Sequence, residues 1–448
     1  MFIRTTESVC PSCLTVIPAQ VEQQDGAAYM VKTCPSCGSF RVRVARHAWY
    51  YRGLFDFYGL VSSFARSRRS LPFERFMIYP TSRCNAACPI CYASETAVSE
   101  PTLDEIRRMV QTIGKPGRKV SLLGGEPTMR DDLPEIVRLV RRAGHQPVMV
   151  SNGLRLADRS LVRRLREAGL TYLWLSLDSI RDDEVYRQIR GAPQLEVKLE
   201  ALSNLRQENV RTGLIVTVVR GVNEDEIAPV LQYAAANAHI EAVGVRSFVP
   251  LGRGRGVDAE ELSMDELAEL ATQASGGQLT LEEFYLTQKL IYALQAGVLR
   301  RPVCYVKQNA PLPRIGSRPM RDLLPARALK AMLDRFERRW PRSPTRARAL
   351  LLLDLGRIAV RHPWISTQLG LGALTRILWG AERASDSRYF RLGVAKFYSP
   401  RDYDREVATC RCNDAWLPSF AAGETLDYCG FIISQSPSTA SSGQCTPL

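Results

Sequence analysis

Three cysteines stand at C-x3-C-x2-C spacing in the stretch Cys84-Asn85-Ala86-Ala87-Cys88-Pro89-Ile90-Cys91. Soft thiolates this close together, with no histidine near, suit an iron–sulfur cluster better than zinc. In a [4Fe-4S] cubane, three protein thiolates leave one iron open to an outside ligand. An incomplete ligand shell is a catalytic arrangement, by the logic that separates open from closed metal sites. The bland alternative is three buried cysteines of an ordinary loop. A second group lies upstream. Cys10-Pro11-Ser12-Cys13 and Cys34-Pro35-Ser36-Cys37 are two matching knuckles. Each turn aims two thiolates at one metal, and Gly38 tolerates the tight turn. Four sulfurs close a tetrahedral shell around Zn(II) or a rubredoxin-like Fe, a structural arrangement unless iron makes it an electron relay.

Five cysteines remain. Cys304, Cys410, Cys412 and Cys429 form a candidate ligand set for an auxiliary [4Fe-4S] cluster, with a zinc site or free thiols as the alternatives. Cys445 lies in a Ser/Thr/Gly/Pro tail, 434–448, that reads as disordered.

The elements that must position these groups alternate regularly. Short β-rich runs occur at 75–80, 119–123, 147–151, 172–177, 212–219 and 242–248. Amphipathic helical stretches at about 102–113, 132–143, 158–168, 194–208 and 224–237 separate them. Thr102-Leu103-Asp104-Glu105 reads as a capping box opening the first helix. Strands with helical crossovers imply a parallel sheet in an α/β fold. In such folds chemistry sits at the C-terminal strand ends. The expected organisation is a four-cysteine metal knuckle over 1–48, a linker over 49–73, and an α/β core over 74–256. A mainly helical basic and apolar region follows over 257–400, then a cysteine-containing segment over 401–433.

The second mark is Gly124-Gly125-Glu126-Pro127 at the end of the second core strand. With C-x3-C-x2-C one βα unit upstream, the chain resembles the radical S-adenosylmethionine (SAM) superfamily. That resemblance implies a partial (β/α)6 barrel. It implies an open iron that chelates the amine and carboxylate of SAM, and reductive cleavage of SAM to a 5′-deoxyadenosyl radical. The Gly124 to Pro127 turn would bind the methionine amine. Polar groups at later strand ends, Asn152, Ser176 and Asp178, would contact the ribose and carboxylate, and Arg190 would grip the carboxylate bidentately. The last four could equally be strand-to-helix caps and a surface arginine. Ile90 stands where many members carry an aromatic beside the adenine. With the double knuckle and late cysteines, the layout resembles the tetraether lipid synthase and dihydropterin methyltransferase-like group. The specific motifs cover 10–38 and 84–256. This implies hydrogen abstraction from an unactivated carbon, then C–C bond formation or methylation. After the knuckle and core, the remaining cysteines serve one further cluster at most, fewer than the tetraether synthases use.

Composition narrows the rest. The 448 residues carry a formal net charge of +14 and only four histidines, which disfavours His-rich zinc hydrolases. The paired cysteines fit a reducing compartment and metal ligation rather than disulfides. No apolar run approaches a spanning helix, and Met1 to Cys10 lacks a signal-peptide core. The expected location is cytoplasmic, with peripheral membrane contact in view. From Arg300 to Leu350, 14 Lys/Arg face only Asp322, Asp334 and Glu337. The apolar, arginine-studded stretch from Ala349 to Trp379 suits either a membrane-facing helix or a core-facing layer. Basic and apolar together suit a phospholipid, with arginines for the headgroup and leucines for the tails. The same charge could dock an acidic ferredoxin or flavodoxin, the expected electron donor. Three readings follow: a radical enzyme acting on a lipid; one modifying a peptide, RNA or pterin; and a zinc-ribbon nucleic-acid-binding protein. The intact motifs weigh against the last, and no nucleic acid is expected as a partner.

Overall fold

Short apolar runs separated by amphipathic helices make parallel strands when the helices cross over the sheet, and the chain folds that way. The computed structural model describes residues 1–66, 75–93, 100–300, 303–361, 388–410, 414–416 and 426–427. The first four strands, β1 (Phe2–Val9), β2 (Val16–Gln24), β3 (Ala27–Cys34) and β4 (Gly38–Ala45), form an antiparallel meander. Both knuckles are its turns at one end, β1 to β2 and β3 to β4.

Helix α1 (Ala48–Arg66) follows, where the sequence suggests a linker over 49–73. Tyr50, Leu54, Phe57, Tyr58 and Val61 recur at helical spacing, and all are buried in the main core. That aromatic stripe is the signal for a packed helix rather than a connection.

The main sheet begins with β5 (Arg75–Ile78). It continues through α2 (Leu103–Thr112), β6 (Lys119–Leu122), α3 (Leu133–Arg142), β7 (Gln146–Ser151), α4 (Arg159–Glu167) and β8 (Tyr172–Ser176). Then come α5 (Glu184–Arg190), α6 (Leu195–Gln207), β9 (Arg211–Val218), α7 (Ile227–Ala236) and β10 (Ile240–Ser247). β5 to β10 lie side by side in chain order and every pair is parallel. Each strand lies within two residues of its expected bounds. α2 starts as its sequence indicates. The Thr102 hydroxyl accepts from Glu105 N, and the Glu105 carboxylate accepts from Thr102 N, 2.7 Å. The helix expected at about 194–208 is α6, while α5 falls where no helix is expected from the sequence.

The region beyond residue 257 is mostly helical, as expected: α8 (Met264–Gln273), α9 (Leu281–Tyr292), α10 (Met320–Leu323), α11 (Ala326–Arg339) and α12 (Pro344–Arg361). Two of its segments are strands. β12 (Tyr389–Ala395) pairs parallel with β10, and β11 (Lys307–Pro313) closes that edge antiparallel to β12. β11 carries Pro311 and Pro313, which only an edge strand tolerates and which hide it from a propensity reading. At the opposite edge β13 (Asp414–Trp416) pairs with β5 and β14 (Leu426–Asp427) with β13.

The meander docks on the main sheet through charge. Arg43 meets Glu260 and Glu266 at 2.7 and 3.0 Å, and Arg4 pairs with Asp404. The Lys32 ammonium, 2% exposed as a residue, donates to Ser8 Oγ, Val9 O and Pro400 O at 2.8–2.9 Å.

Candidate active site

The loop after β5 carries Cys84, Cys88 and Cys91, so it emerges at the C-terminal end of the parallel strands. Cys84 is exposed, Cys91 half-buried and Cys88 buried. Burial raises the Cys84 and Cys91 thiols above the ordinary thiol range. Arg253, beyond β10, holds the loop from above: its N donates to Cys91 O at 3.1 Å and its Nε to Cys88 O at 2.9 Å. Ile90 packs with Val185, Ile189, Val219 and Phe248, an apolar patch beside the loop.

The turn after β6 presses on this loop from below. Gly125 N donates to Thr81 O at 3.0 Å and Glu126 N to Arg83 O at 2.8 Å. A Cβ on Gly125 would collide with the carbonyls of Ser82 and Arg83, and Gly124, at φ +137, would place one 2.6 Å from Thr81 O. Both glycines are therefore required by the approach of two backbones. The Glu126 carboxylate is 1% exposed and faces inward. It accepts from Thr128 Oγ1 (2.7 Å), Ser151 Oγ (2.8 Å) and Asn152 N (2.7 Å), and burial raises its pKa. Its side chain ties the β6 turn to the end of β7. Pro127 opens the 3-10 turn Pro127–Met129 that follows.

The later strand ends converge on the same place. Asn152 donates through Nδ2 to Asn85 Oδ1 at 2.8 Å and lies 3.8 Å from Cys84 Sγ. Arg190, at the end of α5, donates from Nε to Asp178 Oδ2 (2.8 Å) and from Nη2 to Ser176 Oγ (2.9 Å). Burial opposes its charge, but Asp178 beside it and the nearby Cys88 thiol more than offset this, so its pKa is raised. Arg190 is thus a buried, paired cation, not a surface arginine. Asp178, 0% exposed, also accepts from Thr217 N at 2.9 Å.

Sequence reasoning missed Lys198 on α6. Its ammonium is fully buried and donates to Asn152 O and Ser176 O, both at 2.8 Å, joining the ends of β7 and β8. Burial lowers its pKa to about 8. The signal was present: Leu195, Lys198, Leu202 and Leu205 share one helix stripe, and a lysine on an apolar stripe needs a polar target.

The meander holds the other metal site. The sulfurs of Cys10, Cys13, Cys34 and Cys37 all lie within 4.8 Å of one another, and among the described residues no other group of three or more ligating side chains is drawn so close. Cys13 and Cys34 are 3.7 Å apart, near the ~3.8 Å edge of a tetrahedron with Zn–S bonds of ~2.3 Å. Hydrogen bonding with Thr15 pulls Cys13 down to about 6, while Cys13 pushes Cys37 up to about 12. Such opposition among crowded thiols is what a divalent cation relieves. The donor set fits Zn(II) or Fe.

Of the auxiliary set, Cys304 is buried in the main core ahead of β11. Cys410 ends the short helix Arg405–Cys410. The side chain of Cys410, together with Cys412, Cys429 and the tail 434–448, lies outside the described residues, as does the apolar stretch after α12. Among the described residues no helix is long and apolar enough to cross a membrane.

Comparison with known proteins agrees with this geometry. Residues 78–234 match the radical SAM superfamily model, and residues 2–46 match the HMPTM N-terminal zinc ribbon domain. The chain is 31% identical over 311 residues to 7,8-dihydro-6-hydroxymethylpterin dimethyltransferase of Methanocaldococcus jannaschii, covering 63% of this chain and 61% of that one. It is 33% identical to Fe-coproporphyrin III synthase of Methanosarcina barkeri, over 42% of this chain and 47% of the relative. It is 35% identical to a probable GTP 3′,8-cyclase of Thermococcus kodakarensis, over 38% and 55%. The matches therefore span about half to three fifths of these relatives.

Proposed function

We propose, for a chain that belongs to the radical SAM superfamily and carries an N-terminal zinc ribbon, that it abstracts hydrogen from an unactivated carbon of a small heterocyclic substrate of the pterin kind, leading to methylation or C–C bond formation. The cluster and SAM supply a 5′-deoxyadenosyl radical when bound. The residues fit that pair. Cys84, Cys88 and Cys91 would hold the cluster, and the donor set leaves one iron for SAM. The observation that carries the reading is the convergence of three strand ends on the cysteine loop: Gly124 to Glu126 against its backbone, Asn152 at Cys84, and the Ser176–Arg190–Asp178 group at Cys88. Arg190 spends two of its donors on Ser176 and Asp178, and its remaining N–H groups suit a carboxylate. The Ile90 patch offers an apolar face to a purine. The work of the rest of the barrel is to hold the target carbon in contact distance and exclude water, since an alkyl radical attacks nearly anything. The electron would come from an acidic ferredoxin or flavodoxin. The late cysteines remain a proposed auxiliary site.

A lipid substrate is the second reading. It is favoured by α12, which leaves Leu352, Leu353 and Val360 exposed between arginines.

Both are tested by anaerobic reconstitution with SAM and reductant, reading 5′-deoxyadenosine release. A Cys84→Ala variant should be silent. Stimulation by the aqueous fraction of host cells supports the small-molecule reading, and stimulation by the lipid fraction supports the lipid one. No release above the Cys84→Ala background, with the cluster present by absorbance and a physiological donor supplied, overturns the radical assignment.

A further inference from the structure

The interior of the barrel carries more information about the substrate than the cysteine loop does. Side chains alternate between the two faces of a strand, and here the two faces differ in exposure. On β8, β9, β10 and β12 the residues facing the helices (Leu175, Val216, Val245, Leu392) are buried in the main core. Of their neighbours on the other face, Gly213, Ile215 and Ala242 are buried, while Trp174, Thr217, Gly244, Arg246, Arg391 and Gly393 are only half-buried. The lumen is therefore partly accessible to solvent along β8, β10 and β12.

Strand register sorts this lumen into layers. Above the Tyr172–Arg211 pair, Trp174, Gly213, Ala242 and Arg391 are successive partners across β8, β9, β10 and β12, and make the lowest layer that spans all four strands. Two residues up, about 7 Å, Ser176, Ile215, Gly244 and Gly393 make the next. Thr217, Arg246 and Ala395 make the third, level with Asp178 and next to the Arg190 group. The lowest layer is bulky. A Cβ on Gly213 would come 2.5 Å from the indole of Trp174, which reaches across to Gly244, 3.5 Å from its Cβ position. Trp174 thus floors the lumen across three strands. The Arg391 guanidinium lies over this floor, 5.4 Å from the indole centroid, held by the ring quadrupole. The middle layer is nearly bare, with two glycines, a serine and Ile215. The Asn309 carboxamide borders it, its Oδ1 2.9 Å from where a Gly393 Cβ would be. At the rim Phe397 and Tyr92 form a ring pair, 5.4 Å between centroids. On these faces Asp178 is already bound to Arg190 and Thr217 N, and at the base Glu241 is paired with Arg211 at 3.1 Å.

We propose that this lumen binds a flat conjugated heterocycle carrying an oxyanion, with the acid group on Arg391 above Trp174 and the ring in the layer cleared by Gly244 and Gly393. The inference rests on the small-heterocycle reading above and adds the charge and orientation of the substrate. A cation seated on an indole is prepared to grip a carboxylate or phosphate bidentately. A layer of small residues above an indole, edged by an amide that both donates and accepts, suits a planar ring with an amide edge. Anchoring the acid at the floor leaves the far edge of the ring directed at the cysteine loop. The aliphatic tails of a lipid would place no anion there.

The test is equilibrium dialysis of the full, cluster-reconstituted chain in the presence of SAM, with pterin and pterin-6-carboxylate as probes and no reductant. The carboxylate should bind at least about tenfold tighter, and the advantage should shrink as salt is raised. In R391Q it should vanish while pterin itself binds as before, and in Gly244→Val both probes should weaken. Equal affinities in the wild-type chain, an advantage that survives R391Q, or no binding of either probe would each overturn the proposal. Should R391Q not fold, the wild-type pair of affinities and their salt dependence decide alone. Failure is separable from failure of the radical reading, because no turnover is involved: release of 5′-deoxyadenosine without probe binding removes only this inference, and probe binding without release removes only the other.

Discussion

The chain builds two thiolate sites, and they are built in opposite ways. In the ribbon, four sulfurs on two hairpin turns converge within 4.8 Å, and the antiparallel strands of the meander hold the turns. In the barrel, three sulfurs on one loop are less tightly gathered, and the loop depends on others: backbone from the β6 turn, Arg253 from beyond β10, Asn152 from β7. A closed shell can organise its own surroundings, because metal binding is folding free energy. An open shell must keep one position free, so the surroundings have to organise it. The ribbon then reads as structure, and the barrel loop as the place of chemistry.

The strongest way to break that contrast is to remove one thiol from each site. Cys34→Ser should release the ribbon metal, as read by metal analysis, and unfold the meander, since a structural zinc held by four thiolates contributes on the order of 10–16 kcal/mol. Cys88→Ala should leave the meander and its metal in place and reduce 5′-deoxyadenosine release to background. If Cys34→Ser retains its metal and fold while losing SAM cleavage, the ribbon is part of the redox machinery and the division fails.

The next effect concerns the support of the open site. Asp178→Asn leaves the Arg190 guanidinium, 15% exposed as a side chain, without its counter-ion. Removing one partner of a buried pair costs about 3–5 kcal/mol, to be read as a lower denaturation midpoint. SAM affinity should fall with it, because a neutral amide then replaces the carboxylate that orients Arg190. An unchanged midpoint would mean that the pair is solvated and supports nothing. Gly125→Ala is subtler: its methyl must push the carbonyls of Ser82 and Arg83 away and so displaces the cysteine loop. A displacement near 1 Å at a reacting centre costs about 100-fold in rate, with a stability loss of about 1–3 kcal/mol from the backbone clash. A fully active Gly125→Ala would show that the approach of the two loops does not set the cluster position.

Much of this is legible in the sequence, for physical reasons that differ by region. Strands β5 to β10 can be bounded within two residues because parallel strands are short apolar runs between amphipathic helices. The Thr102 cap and both cysteine groups are local, so spacing reveals them. β11 and β12 do not stand out from the helices around them, because their membership in the sheet depends on pairing with β10, far away in the chain. α1 passes for a linker on composition, although Tyr50, Leu54, Phe57 and Val61 mark a buried stripe. Arg190 has its neighbourhood visible in the sequence, but that Asp178 and Ser176 take two of its donors is a tertiary fact. The layered lumen is invisible there, since register across four strands decides that Gly244 and Gly393 are level with one another.

Lys198 gives the smallest effect and the finest probe of the comparison, because the barrel spends a buried cation on orienting strand ends. Its pKa lies at about 8, below the 10.5 of a free lysine, chiefly because burial penalises the charge. Below pH 8 the ammonium is charged in both folded and unfolded chains, and the fold bears the whole cost of burying it. Between pH 8 and 10.5 the unfolded chain holds a proton that the folded one has released, so stability rises with pH across that window and levels off above it. A shift of this size corresponds to roughly 3–4 kcal/mol at most. Lys198→Met removes the titration and leaves Asn152 O and Ser176 O without their donor. Denaturation at about pH 7.5 and about pH 9.5 should therefore show the wild-type chain gaining on the variant at the higher pH. SAM affinity should be lower in the variant at both values, since the ends of β7 and β8 lose their tie. Parallel pH dependences in the two chains would mean that the ammonium is hydrated in solution, and that the strand ends are held by Glu126 and Arg190 without it.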